Sequence, residues 1–250
     1  MGRQATFRLW RGIPDDGKFV DYSVEVAEGM VVLDVVRKIQ AEQAPDLALR
    51  WNCKAGKCGS CSAEVNGMPR LMCMTRLSDL PLDQPVTTEP LKAFPLIKDL
   101  VTDVFWNFEV KKRIKKFRPR PPDYPDGSWR MSQQDVERVQ EFRKCIECFL
   151  CQDVCHVLRE HRLHDRFIGP RYLVHVAALE MHPLDVEDRL EDLRTSQGVG
   201  YCNITKCCTQ VCPESITITD NAIIPLKERV VDRFYDPLRA LLRRLTGRRL

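Results

Sequence analysis

The sequence predicts an α+β chain, a strand-rich N-terminal domain followed by an all-helical one. Alternating apolar and polar residues dominate the first part, helical spacing dominates the part after Ser132, and a proline-rich basic stretch separates them. Twelve cysteines in 250 residues, gathered into three runs, put chemistry in both parts.

Residues 6–11 and 19–26 read as a hairpin: Val20, Tyr22, Val24 and Val26 interleave with Asp21, Ser23 and Glu25, and Pro14-Asp15-Asp16-Gly17 supplies the turn. After Gly29, Val32 to Ile39 has helical spacing despite its β-branched residues. A second hairpin turns at Asn66-Gly67, a type I′ signal, and its return strand ends at Cys73; Val86-Thr87-Thr88 is the last strand. Strand pair, helix, loop and strand pair make a β-grasp. Its loop carries Cys53-x4-Cys58-x2-Cys61, with Cys73 downstream, the plant-type [2Fe–2S] spacing. Gly56 and Gly59 let that loop curl so that backbone N–H groups point at sulfur.

Pro95 is expected to open a helix over Leu96, Ile97, Leu100, Val101, Val104, Phe105 and Phe108. The basic run 111–120 and Pro119, Pro121, Pro122 and Pro125 follow, so the domains are expected at 1–106 and 107–250. Ser132-x-x-Asp135 reads as a capping box for a helix that delivers Cys145. Further helices are expected from Pro170 to Glu180 and over 184–194.

Cys145-x2-Cys148-x2-Cys151-x3-Cys155 is the run that wraps cubane clusters in bacterial ferredoxins, where the fourth cysteine serves the other cluster. Cys202-x5-Cys208-x3-Cys212-Pro213 is the same run with Thr205 in the second position. Cys145, Cys148, Cys151 and Cys212 then supply four thiolates for a [4Fe–4S] cluster. Cys155, Cys202 and Cys208 supply three, which fits [3Fe–4S]. Cys207 is out of register and reads as a small buried apolar residue; a four-iron third centre using Cys207 is the alternative. Zinc is the rival metal, but zinc sites pair cysteines two and two, whereas these runs are three and one. His161-x2-His164 offers only two ligands, and ordinary hydrogen-bonding histidines are the plainer reading.

The N-terminus has no apolar h-region, and no apolar run reaches the length of a membrane span. Reduced thiols and metal binding are therefore expected, not a disulfide framework. Gly2 and Thr6 fit the N-myristoylation pattern only by chance. The net charge of +4 is concentrated in residues 111–120 and 239–250, on a body that is otherwise acidic. That distribution argues for specific anionic surfaces and against general nucleic-acid affinity. The 111–120 run is either a solvated face or a docking surface; the leucine- and arginine-rich tail is either a free end or a contact with anionic headgroups.

A plant-type [2Fe–2S] domain followed by a paired cubane domain with one ligand missing resembles the iron–sulfur subunit of succinate dehydrogenase and fumarate reductase. Phe94 to Val101 is similar to that family's interdomain helix, and Phe167-Ile168-Gly169-Pro170 to its Gly-Pro helix start. The resemblance implies an electron-transfer subunit of the tricarboxylic acid cycle and respiratory chain. Its partners would be a flavoprotein with covalent FAD and an integral membrane anchor on the cytoplasmic face of the inner membrane. Electrons would pass through [2Fe–2S], [4Fe–4S] and [3Fe–4S] centres to quinone, or the reverse in a fumarate reductase. A free multi-cluster ferredoxin carrier is the other reading. The sequence departs from the family at the acceptor end: the proline and tryptophan pair expected after Cys155 are His156, Val157, Leu158, Arg159 and Glu160, and the expected histidine after Cys202 is Asn203. His156 and Asn203 are therefore the quinone-proximal candidates. Either a menaquinone site of different make, in place of a ubiquinone site, or a haem or further redox centre in the anchor would follow.

Overall fold

The computed structural model describes residues 3–237. Strand β1 (Arg3–Ile13) pairs antiparallel with β2 (Asp16–Val26), and the period-two pattern sends Phe7, Leu9, Val24 and Val26 inward. Helix α1 (Val32–Glu42) covers that face with Val32, Leu33, Val35, Val36 and Ile39, so packing overrides the modest helix propensity of its valines. Strands β3 (Ser62–Val65) and β4 (Met68–Leu71) turn at Asn66 and Gly67, both at positive φ (49° and 75°), as a type I′ turn requires. Strand β5 (Val86–Glu89) slots between the two hairpins, parallel to β1 and antiparallel to β3, giving the order β2-β1-β5-β3-β4. This is the expected β-grasp.

The helix expected from Pro95 is not there. Leu96–Lys98 (β6) and Val101–Thr102 (β7) form a short strand pair, and only Phe105–Arg113 (α2) is helical. The cause is Asp99, which takes a left-handed φ of 49° and aims its carboxylate back into the sheet domain. That carboxylate accepts the N–H of Gly12 and of Ala48, each at 2.7 Å, and Arg11 Nε at 3.1 Å. Apolar residues at 96, 97, 100 and 101 satisfy a helical period and a two-strand turn equally.

Beyond α2 the basic run lies along the helical part. Arg118 and Arg120 exchange backbone hydrogen bonds with residues 184–186. The fully buried Arg189 donates to the carbonyls of Lys115 and Lys116 at 3.0 and 2.7 Å and to Asp185 at 2.9 Å. Lys111, Lys112, Lys115, Arg118 and Arg120 pair with carboxylates of this chain. Lys111, Lys112, Lys115 and Arg118 stay largely exposed in these pairs, as either a solvated face or a docking surface requires. The same contacts shorten the helix expected over 184–194 to Leu190–Arg194, because residues 184–189 give their polar groups to the basic run.

Ser132 caps helix α3 (Gln133–Gln140), its hydroxyl accepting the Asp135 N–H, and a 3₁₀ turn Glu141–Lys144 leads to Cys145. Helices α4 (Leu150–Asp153), α5 (His156–Arg159), α6 (Gly169–Glu180), α7 (Leu190–Arg194), α8 (Cys207–Gln210) and α9 (Ile224–Phe234) complete this part, with a π-helical turn at Ile218–Ile223. Helix α6 is its centre: Tyr172, Leu173, Val176 and Ala177 are fully buried. Gly169 opens it at φ +79°, and a Cβ there would meet Gln152 Oε1 at 2.0 Å. Among the described residues no helix is long and apolar enough to cross a membrane. The basic tail lies outside the described residues.

The two parts meet through buried charge. Arg159 of α5 places both terminal nitrogens on Glu64 of β3, at 2.6 and 3.2 Å, and Glu64 is fully buried. Lys92 reaches the same carboxylate at 3.1 Å. Buried Asp153 accepts the Ala93 N–H at 2.8 Å.

Candidate metal centres

The loop after residue 50 winds through left-handed φ at Lys54, Gly56 and Gly59 (56°, 66° and 69°). This curl turns the N–H groups of Ala55 and Lys57 onto Cys53 Sγ, at 3.4 and 3.3 Å. Burial opposes ionisation of Cys58, but hydrogen bonds to Ser60 and to Cys53 prevail and bring it down to about 6. Burial pushes neighbouring Cys61, which is in contact with Cys73, up to about 12. Cys53, Cys58, Cys61 and Cys73 are thus brought together.

The two later runs fold as copies of one turn. Each leading cysteine is extended, Cys145 at φ −63°, ψ 118° and Cys202 at φ −68°, ψ 122°. Two left-handed residues follow at the second and fourth places, Glu147 and Phe149 (56° and 63°) in one and Ile204 and Lys206 (61° and 63°) in the other. A four-residue helix then begins, α4 or α8. By this register Cys151 matches Cys208, Cys155 matches Cys212, and Thr205 matches Cys148.

Two cavities of similar empty volume, about 370 and 330 Å³, lie beneath these turns. The first is lined by Cys145, Cys148, Cys151 and Cys212, with Ile146, Phe149, Val174 and Ile218 around them. The second is lined by Cys155, Cys202 and Cys208, and by Thr205 and Cys207. The last cysteine of each run therefore crosses to the other chamber. Burial pushes Cys148 and Cys155 up to about 12 and Cys208 to about 11, and raises Cys151 and Cys212 above the ordinary thiol range. Sulfurs crowded in apolar surroundings are what bound iron would stabilise as thiolates, and an all-sulfur donor set suits iron–sulfur centres. The Ile216 N–H already points at Cys212 Sγ, at 3.4 Å. Among the described residues no three His, Cys, Asp or Glu side chains close on a point as one lone ion would require. The residues present fit polynuclear groups in all three places.

Cys207 occupies the station that Leu150 holds in the first turn. Its Sγ lies 3.2 Å from Thr205 Oγ1 and 3.5 Å from the Val154 carbonyl.

The first loop abuts the middle chamber. Gly59 packs so tightly on the Cys148 backbone that a Cβ would meet Cys148 Cα at 2.6 Å, and Ser62 Oγ lies 2.8 Å from the Gly59 carbonyl and 2.9 Å from that of Cys148. Helix α4 and its flank supply Cys151 to the middle chamber and Cys155 to the outer one. The three sites stand in a row, the four-cysteine chamber between the others.

A family model described as "2Fe-2S iron-sulfur cluster binding domain" matches residues 6–109, and one described as "4Fe-4S dicluster domain" matches 141–216. The fumarate reductase iron-sulfur subunit of Mycobacterium tuberculosis is 31% identical over 202 residues, 79% of this chain and 80% of that one. The chain belongs to the iron–sulfur subunits of succinate dehydrogenase and fumarate reductase. The succinate dehydrogenase iron-sulfur subunit of Paracoccus denitrificans is 29% identical over 91% of this chain and 88% of its own. A solved structure, the Mycobacterium smegmatis Sdh1 complex in the apo form, matches with a TM-score of 0.91 at 59% identity, covering 95% of this chain and 100% of that one.

Within this iron–sulfur subunit, His156 and Asn203 both line the outer chamber and are exposed, beside exposed Ile204 and Tyr201. His161 and His164 share no helix, since α5 ends at Arg159 and His164 stacks edge-on against Trp106 at 4.7 Å. Sequence reasoning missed Arg171, which lines the middle chamber, and Glu147, which pairs with it at 2.6 Å. The available signal for Arg171 was a charged residue in the first turn of a mostly apolar helix.

Proposed function

We propose that this chain relays electrons in a membrane-bound succinate dehydrogenase, from an FAD flavoprotein subunit to quinone at a membrane anchor. Cys53, Cys58, Cys61 and Cys73 hold [2Fe–2S]; Cys145, Cys148, Cys151 and Cys212 hold [4Fe–4S]; Cys155, Cys202 and Cys208 hold [3Fe–4S]. When bound, these groups accept and release single electrons. The chain holds them in sequence, screens the middle one from water with Phe149, Val174 and Ile218, and leaves the outer one near the surface. The exposed rim of His156, Asn203 and Ile204 faces the anchor and its quinone, and the first loop faces the flavoprotein. That places the subunit peripherally, on the cytoplasmic face of the membrane. The division falls near residue 106, with 1–106 carrying the first site and 107–250 the other two.

The observation that carries this reading is the row of three cysteine groups, joined by the Gly59–Cys148 contact and by α4. A relay serves either direction, and relatives named fumarate reductase keep the reverse direction as the second reading. Potentiometric EPR on the intact complex from native membranes tests it. Three signals, including an oxidised [3Fe–4S] signal that succinate bleaches, are expected. Zinc in place of iron, missing acid-labile sulfide, or signals indifferent to both succinate and quinone would overturn it.

A further inference from the structure

Arg171 is a cation buried against the wall of the middle chamber. It is 5% exposed and shares that wall with Cys145, Cys148, Cys151 and Cys212. Its Nη2 donates to Glu147 Oε1 at 2.6 Å, but its Nε is buried with no hydrogen-bond partner. A buried N–H left unpaired is costly, more so on a charged group, and guanidinium nitrogens can only donate. Glu147 does not relieve it, because the same Oε1 also takes Lys111 Nζ at 2.5 Å. Cys145 and Cys151 are among the groups whose charge Arg171 feels most. The orphan donor therefore belongs to a side chain that lines the same cavity as the four cysteine sulfurs. The outer chamber differs: its lining lysine, Lys206, is exposed and turns to Asp220 at 2.8 Å.

We propose that Arg171 donates its Nε–H to sulfur of the [4Fe–4S] centre and raises that centre's reduction potential, held in place by Glu147 and Lys111. The inference rests on the reading above that the four cysteines of this chamber hold the centre. Adding an electron makes the centre more negative, so a fixed positive charge and an N–H···S bond favour the reduced state. Low dielectric strengthens both effects. Glu147 works in the opposite sense, and its pairing with Lys111 tempers it.

The test is anaerobic redox titration of the intact complex, followed by the EPR signal of the reduced middle centre. In Arg171→Gln the ratio of reduced to oxidised middle centre at a fixed poise is expected to fall about tenfold, equivalent to about 59 mV for one electron. The signals of the other two centres should keep their midpoints. Glu147→Gln should shift the middle centre the opposite way, and Arg171→Lys, which keeps the charge without the rigid N–H, should shift it less than Arg171→Gln. In unsubstituted complex labelled with ¹⁵N-arginine, pulsed EPR should find a ¹⁵N coupling to the reduced centre that Arg171→Lys abolishes. An unmoved midpoint in Arg171→Gln, or no ¹⁵N coupling, overturns the inference. If Arg171→Gln loses the centre, the ¹⁵N coupling decides alone. A middle signal missing from unsubstituted complex would instead strike the assignment of the four cysteines.

Discussion

Thr205 and Cys148 hold the same station in two turns of matching backbone, each between a pair of left-handed residues, Ile204 and Lys206 or Glu147 and Phe149. What differs is the donor: a hydroxyl where the other turn has a thiol. Thr205→Cys should therefore complete a fourth ligand. The oxidised [3Fe–4S] EPR signal should vanish, a reduced four-iron signal should replace it, and iron per chain should rise by one. Cys207→Ala should leave the three-iron signal intact, because Cys207 stands at the place of Leu150. Loss of the outer centre in Cys207→Ala would favour the four-iron alternative.

Gly59 touches the middle chamber's backbone at a φ of +69°, where L side chains are strained and where a Cβ would meet Cys148 Cα at 2.6 Å. Gly59→Ala must push the first loop away from Cys148. Reduction of the middle centre after that of the first should slow by more than tenfold in freeze-quench EPR, with the iron content of the chain unchanged. A rate equal to that of the unsubstituted complex would mean the contact does not set the spacing.

Arg159 and Glu64 join the parts through a carboxylate that is fully buried. Removing one partner of such a pair leaves a buried charge uncompensated and costs about 3–5 kcal/mol. Lys92 remains on Glu64 in Arg159→Met, so a loss near the lower end, about 3 kcal/mol, is expected there. Cluster absorbance followed through guanidinium unfolding should show a lower midpoint, with the two parts separating before either unfolds.

His175 of α6 is held neutral: burial, then the charges of Arg171 and Lys111, bring its pKa down to about 4, against opposing help from Glu147. A depressed folded pKa gives stability that is present above the ordinary histidine value of about 6.5 and is lost as pH falls toward 4. Acid titration of stability should show this loss between pH about 6.5 and 4, and His175→Gln should flatten that limb.

Local pattern carried the β-grasp well, because strand alternation and the Asn66-Gly67 turn are short-range signals that packing then reinforces. It misread residues 95–104, where the apolar spacing fits a helix and a strand pair alike. The decision there fell to Asp99, whose partners Gly12, Ala48 and Arg11 lie far away in sequence. The segment before Leu190 was misread for a similar reason, since its backbone serves residues 118 and 120.

Cysteine spacing by itself pointed to three groups of thiols, to the crossing of the last thiol in each run and to the threonine in the second turn, because most thiols of each group recur at the short intervals of one loop while one comes from elsewhere in the chain. Tertiary structure alone decided what surrounds them. Arg171 reaches the middle chamber from α6, Gly59 meets Cys148 from the sheet domain, and Glu64 pairs with Arg159 across the join. Ligation is written in local intervals, whereas burial, charge and contact around a ligand arise only when distant segments pack.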